Sequence, residues 1–136
     1  MSSTAVHASK RLTLKAYAVR AFVAALIATV LNIVVYYIGD AAGAFPSTIE
    51  VMAGKSLQIS NVIMMSVLGT LIGMVIFAAV GSLKIFRIIA IVGFILLLFT
   101  PASVKDPTTE FVVYLEIMHV VATVVVLWVA CWKKHA

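Results

Sequence analysis

The sequence predicts an all-α membrane protein, a four-transmembrane-helix bundle with both termini cytoplasmic. Three observations predict it: the composition, four long apolar runs, and basic residues gathered on one side of those runs. Hydrophobic residues make up 64% of the 136 residues and charged residues 11%, with a mean hydropathy of +1.19. A soluble domain is about half apolar and about a quarter charged. A chain this short has too small a core to bury the excess, which disfavours a soluble enzyme, a disordered chain and a nucleic-acid-binding domain.

The four apolar runs predict helices at residues 16–38, 60–81, 85–100 and 109–132. A helix needs about 20 apolar residues to cross the hydrocarbon core. Backbone amides in lipid must be paired within their own segment, so helix overrides the strand propensity of valine, isoleucine and phenylalanine. The third run is short and carries Arg87 near its start, where tilting or a snorkelling side chain absorbs the mismatch. The first run is longer than the ~7–15 apolar residues of a signal peptide, so we expect it to be retained.

The basic residues predict the orientation, because cytoplasmic loops are enriched in lysine and arginine. Only Lys55 and Lys105 fall on the opposite side, together with several acidic residues. The basic side holds Lys10, Arg11, Lys15, Arg20, Lys84, Arg87, Lys133 and Lys134. We therefore expect a flexible basic tail at 1–15, a single transmembrane domain at 16–132 and a basic tail at 133–136.

Two loops carry local signals. Ser47-Thr48-Ile49-Glu50 matches a capping box, and Gly54 follows it, which predicts a short interfacial helix at 48–53. Asp106 followed by Pro107 predicts an N-cap and the first residue of the fourth helix.

Ionisable residues inside apolar helices are costly and are functional candidates by default. Glu116 and His119 are three residues apart, so they share one helical face. Asn32 and Tyr36 on the first helix and Asn61 on the second fall in the same outer half. These five residues predict a small, outward-open polar pocket, and no catalytic residue is assigned.

The same residues also fit a structural role. A Glu–His pair or a buried asparagine can hold helices together by hydrogen bonds without binding any ligand. Gly69 and Gly73 form a small-xxx-small pair, for which packing within the chain is favoured over a dimer interface.

Several cofactor and metal sites are disfavoured, and no cofactor or metal is predicted. Cys131 is the sole cysteine, so neither a disulfide within the chain nor a cysteine cluster can form. Glu116-x-x-His119 has the spacing of half a di-iron site, but the second half is absent. A bis-histidine haem lacks a second buried histidine. A copper site with Met118 is disfavoured because Met118 lies on a different face from Glu116.

The last two helices resemble a known family. Phe99-Thr100-Pro101 leads to an outer loop and then to Leu115-Glu116-Ile117-Met118-His119-Val120-Val121-Ala122. This Leu-x-x-Met-His element is similar to that of a family of small uncharacterised bacterial four-helix integral membrane proteins. The resemblance covers residues 12–132 and implies a multi-pass protein of the bacterial plasma membrane in which His119 matters. Glu116 departs from the family pattern.

Two functional interpretations follow. In the favoured one, the pocket binds or translocates a small ligand, ion or proton, with Glu116 and His119 titrating and Asn32 and Asn61 orienting the ligand. In the alternative, the protein is a non-catalytic accessory subunit of a larger membrane complex. Enzymatic activity is disfavoured. The expected partners are the lipid bilayer, and either a second copy or a larger complex, with no nucleic acid.

Overall fold

The computed structural model of the chain describes residues 12–132 and contains four long helices in that range. They are α1 (Leu14–Ala41), α2 (Ile59–Val80), α3 (Leu83–Leu97) and α4 (Thr109–Ala130). A hairpin of β1 (Glu50–Met52) and β2 (Lys55–Ser56) follows α1, and a 3-10 helix, Thr100–Ser103, follows α3. Each long helix, the third counted as Leu83–Ser103, is long and apolar enough to cross a membrane. Of the tails expected at 1–15 and 133–136, residues 1–11 and 133–136 lie outside the described residues, while Leu14 and Lys15 belong to α1 and not to a tail.

The helix boundaries follow from local capping chemistry. The side chains of Thr13 and Ser82 accept hydrogen bonds from the backbone N–H groups of Ala16 and Ile85, so α1 and α3 each begin two residues earlier than predicted. Such a bond satisfies one of the free amides of the first helical turn. The α2 helix ends at Gly81, whose φ of 65° is the left-handed conformation that glycine adopts readily.

The predicted cap of the fourth helix is wrong by two residues. The N-cap is Thr108, whose side chain accepts from the N–H of Phe111. Asp106 instead adopts a φ of 49°, a left-handed turn conformation in which aspartate is enriched. Asp106 therefore redirects the chain ahead of the helix.

The interfacial helix predicted at 48–53 is also wrong, because this segment forms the antiparallel β1–β2 hairpin. Its turn contains Gly54, with a φ of 72°. The carboxylate of Glu50 accepts from the N–H of Gly54 at 3.0 Å and caps no helix. A segment this short is hard to nucleate as a helix. Ile49 is buried and Glu50 exposed, the alternation typical of a strand.

The directions of the helices follow from three contacts. A side chain at Gly39 of α1 would meet Tyr114 of α4, and Arg20 of α1 binds the end of α4 at Ala130, so these helices are antiparallel. The ring of Tyr17 near the start of α1 packs on the ring of Phe77 near the end of α2, so α2 is also antiparallel to α1 and therefore parallel to α4. We call the end that carries Ala41, Ile59 and Thr109 the hairpin end, and the opposite end the termini end.

The interior is divided into two clusters along this axis. The termini-end cluster joins all four helices and contains Ala24, Ala28, Met74, Phe77, Phe86, Val125, Val126, Val129 and Ala130. The hairpin-end cluster brings the loop after α1 against α2 and α4 and contains Ala44, Phe45, Ile49, Val62, Phe111 and Met118. The α3 helix buries only Phe86, so α1, α2 and α4 position the polar residues between the clusters.

Candidate functional site

A hydrogen bond between Asn32 and Ser66 joins α1 to α2. The amide nitrogen Nδ2 of Asn32 donates to the hydroxyl of Ser66 at 2.9 Å, and Asn32 is 3% exposed. Both residues lie about two turns from the hairpin end of their helices. Burying an amide without a partner is costly, so this bond stabilises the pairing of the two helices.

Glu116 and His119 lie side by side on α4. Carboxylate oxygen Oε2 is 3.6 Å from ring nitrogen Nδ1, and each side chain is 20% exposed. This separation permits charge attraction but exceeds the usual length of a hydrogen bond. Both carboxylate oxygens and Nδ1 are themselves buried, and none has a hydrogen-bond partner among the described residues. The polar tips thus point into the protein while part of each side chain stays accessible.

The packing of α2 on α4 places the Asn32–Ser66 pair and the Glu116–His119 pair at the same depth along the helices. A Cβ atom on Gly73 would lie 3.3 Å from Val126, so these positions face each other. Because the helices are parallel, moving two turns toward the hairpin end leads from Gly73 to Ser66 and from Val126 to His119. We call Asn32, Ser66, Glu116 and His119 the polar layer.

Two threonines extend the polar layer by one turn toward the termini end. Thr29 lies about one turn before Asn32 on α1, and Thr70 lies about one turn after Ser66 on α2, which is the same direction because the two helices are antiparallel. Both hydroxyl oxygens are buried and without a hydrogen-bond partner in the described part of the chain, as is Oδ1 of Asn32. The layer and these threonines therefore offer several oxygen acceptors within an apolar interior.

The other two predicted residues make separate contacts. The Tyr36 hydroxyl donates to the carbonyl of Leu57 at 3.5 Å, and its ring stacks on Phe45 with centroids 5.2 Å apart. The side chain of Asn61 accepts from the N–H of Gln58 at 3.1 Å and caps α2. The structure brings Asn32, Glu116 and His119 to one depth, whereas Tyr36 and Asn61 belong to the hairpin end.

Two surface cavities lie elsewhere. One, of about 470 Å³, lies between α1 and α2, with Ala25 among its lining residues. The other, of about 450 Å³, lies at the hairpin end near Glu50 and Lys105. Neither is lined by any of the five predicted site residues, so the pocket itself stays a prediction.

Sequence reasoning missed the role of Arg20, which it used only as a marker of orientation. Arg20 is 8% exposed. Its guanidinium donates to the carbonyls of Ala130 at 3.2 Å and Trp132 at 2.7 Å, with a longer bond of 3.4 Å to Val129. The last carbonyls of a helix lack partners within it and carry partial negative charge. An arginine more than one turn inside an apolar helix signals the need for a partner, although the sequence does not identify which one.

A second arginine contacts the same end of α4. Nη2 of Arg87 on α3 lies 3.3 Å from Sγ of Cys131.

Among the described residues, no group of three or more histidine, cysteine, aspartate or glutamate side chains is placed to hold a metal ion. The chemistry of the polar layer therefore depends on one carboxylate, one imidazole, an amide and hydroxyl groups.

Comparison with known proteins gives a family without an assigned activity. No curated protein and no solved structure shows a significant match. A model described as a family of unknown function (DUF6069) matches residues 13–134, in agreement with the expected uncharacterised family, while the role of the Leu-x-x-Met-His element stays a prediction. Because the match covers nearly the whole sequence, the chain belongs to the DUF6069 family of unknown function.

Proposed function

We propose that the protein crosses the bacterial plasma membrane four times, with the hairpin end outside and the termini end in the cytoplasm. Large apolar side chains on all four helices are exposed, and Phe22, Val75 and Leu96 are each about two-thirds accessible. Lipid would cover these surfaces without the cost of exposing them to water. Lys84 and Arg87 lie at the termini end, which supports this orientation.

Within that frame, we propose that the polar layer binds or passes a small ligand, ion or proton. The observation that carries this is the Glu116–His119 pair, whose buried carboxylate oxygens and Nδ1 have no hydrogen-bond partner in the described residues. A carboxylate and an imidazole can each take up and release a proton, and together they can hold one between them. A hydrogen-bond donor or a cation entering the layer would satisfy the oxygens.

Asn32 has a supporting role in this proposal. Its Nδ2 is fixed by Ser66, which leaves Oδ1 buried and free to accept a hydrogen bond. Asn61 and Tyr36 lie toward the hairpin end, where their predicted contact with a ligand would occur during entry.

The alternative proposal is an accessory subunit in which the polar layer only holds helices together. The Asn32–Ser66 hydrogen bond favours it, because this bond already joins two helices without any ligand. The two proposals differ in what the loss of the Glu116 charge does to stability.

The test compares Glu116→Gln and His119→Ala with Glu110→Gln, which makes the same charge change at an exposed position of α4. Purified protein is reconstituted into liposomes containing a pH-sensitive dye, and proton entry is followed after an imposed pH step. Proton binding is followed separately through the NMR signals of the His119 ring. We expect Glu116→Gln to change both measurements and Glu110→Gln to change neither.

Thermal unfolding in detergent separates the two proposals. A ligand or proton site predicts that both variants keep a Tm within a few degrees of wild type. A structural pair predicts that both variants lose Tm together, by about 2–8 °C for each kcal/mol. Equal proton entry and an unchanged His119 titration in wild type and Glu116→Gln would contradict the proton proposal.

A further inference from the structure

An apolar groove runs along the surface between α1 and α2, with a volume of about 470 Å³. Ala21 and Ala25 lie deepest, while Phe22 and Leu26 are more than half exposed and form one wall. Leu71 contributes the opposite wall from α2. Small residues between large ones thus form the groove, and its lining is almost entirely apolar.

The groove has the length of one bilayer leaflet. It begins at Ala18 near the termini end and reaches Thr29, a distance of about 16 Å at 1.5 Å per helical residue. The hydrocarbon core is about 30 Å thick, so this is about half of it. The hydroxyl oxygen of Thr29 is buried in the wall, which keeps the lining apolar to its deep end.

A cation lies at the mouth of the groove. Lys15 precedes Ala18 by one turn on the same helical face, and its side chain is exposed. Arg20 is turned away, because its guanidinium binds the end of α4. The acidic residues of the sequence all lie toward the hairpin end, at Asp40, Glu50, Asp106, Glu110 and Glu116. Among residues 12–132, no acidic side chain therefore lies near the mouth to neutralise the positive charge of Lys15.

We propose that this groove binds one acyl chain of an anionic glycerophospholipid of the cytoplasmic leaflet, with the lipid phosphate at Lys15. The lining matches the chain in polarity and length, and Lys15 matches the headgroup in charge and depth. The site goes beyond the proposed function and uses neither Glu116 nor His119.

The test is native mass spectrometry of the full chain released from detergent, after mixing with phosphatidylglycerol or phosphatidylcholine of identical acyl chains. We expect wild type to retain one phosphatidylglycerol in preference to phosphatidylcholine. Lys15→Gln should lower that preference about fivefold, the effect of one cation near an anionic surface. Ala18→Leu, at an exposed position of the groove, should lower retention of both lipids.

Two matched controls make the result specific. Lys84→Gln removes an exposed cation at the same end, and Ala79→Leu adds the same bulk at an exposed position of α2 away from the groove. Both should behave as wild type. Glu116→Gln should also retain the lipid, so failure of the polar-layer proposal leaves this result intact.

Three outcomes would overturn the proposal. Equal retention of the two lipids by wild type would show that the groove does not recognise an anionic headgroup. If Lys15→Gln and Lys84→Gln lower the preference for phosphatidylglycerol equally, general surface charge and not Lys15 causes that preference. A lipid-free dimer that Ala18→Leu dissociates assigns the groove to a second copy of the chain.

Discussion

The guanidinium of Arg20 lies 2.7 Å from the carbonyl oxygen of Trp132, a residue 112 positions later in the chain. This hydrogen bond joins the beginning of the first helix to the end of the last. It gives a buried charge the acceptors that apolar side chains lack, and it gives the end of α4 a positive partner. The termini end is therefore held together by a side chain as well as by apolar packing.

Arg20→Gln should destabilise the fold, because it removes the charge and leaves carbonyls of α4 without their partner. Hydrogen bonds to charged groups contribute about 1.5–3 kcal/mol each, and we expect a loss of at least that size for the set. Arg20→Lys should recover only part of the lost stability, since a single ammonium group lacks the planar, forked set of donors of the guanidinium. Thermal unfolding in detergent measures both. Lys84→Ala, an exposed cation at the same end, is the control, and an equal loss there would contradict the assignment.

Gly39→Ala should be more harmful than Gly69→Ala. A Cβ on Gly39 would lie 2.7 Å from the ring of Phe45 and 2.9 Å from that of Tyr114, whereas nothing lies within 4 Å of one on Gly69. Overpacking of this kind typically costs about 1–3 kcal/mol. Unfolding of the purified variants checks the difference. Dissociation of a dimer by Gly69→Ala would instead point to an interface between copies.

Asn32→Ala and Ser66→Ala should not be additive, because each removes the same hydrogen bond. Interhelical hydrogen bonds in membranes contribute about 0.6 kcal/mol on average, so we expect a coupling energy of that order. A double-mutant cycle on unfolding in detergent measures it. The pair Asn32→Ala and Asn61→Ala is the control and should be additive, since Asn61 caps α2.

Cysteine labelling should place the hairpin end outside the cell. In a Cys131→Ser background, Lys55→Cys and Lys105→Cys should react with a membrane-impermeant maleimide on intact cells. Lys84→Cys should react only after the membrane is opened. All three lysines are exposed, so accessibility within the fold does not explain a difference. Labelling of Lys55→Cys only after opening would reverse the proposed orientation.

The helices were predictable because hydropathy depends on composition over about 20 residues. The α2 helix, Ile59–Val80, differs from the prediction by one residue at each end. The starts of α1 and α3 were harder, since a single hydroxyl such as that of Thr13 or Ser82 fixes where a helix begins. Several neighbouring residues could have acted as the cap.

The hairpin was predicted as a helix because two local signals competed. Ser47 to Glu50 matches a helix start, but Ile49 and Val51 alternate with polar or exposed neighbours as a strand does. The burial of Ile49 against the hairpin-end cluster decides the outcome. That contact comes from the fold and is not visible in a short stretch of sequence.

For residues of the candidate site, the depth along the helix was easier to predict than the neighbour that each side chain contacts. Residues on a helix advance by a fixed rise, so Asn32, Glu116 and His119 could be assigned to one level from their positions alone. Which neighbour each side chain meets depends on helix packing. Asn32 meets Ser66, a residue that sequence reasoning did not include in the pocket.

The contact made by Arg20 also constrains the order of assembly. Chains emerge from the ribosome with their first segments leading, so α1 is synthesised long before the carbonyls of Ala130 and Trp132 exist. During that interval the guanidinium has none of these acceptors. Completion of the termini end thus waits for the final residues of α4, and a chain that stops before Val129 would lack the acceptors that Arg20 requires.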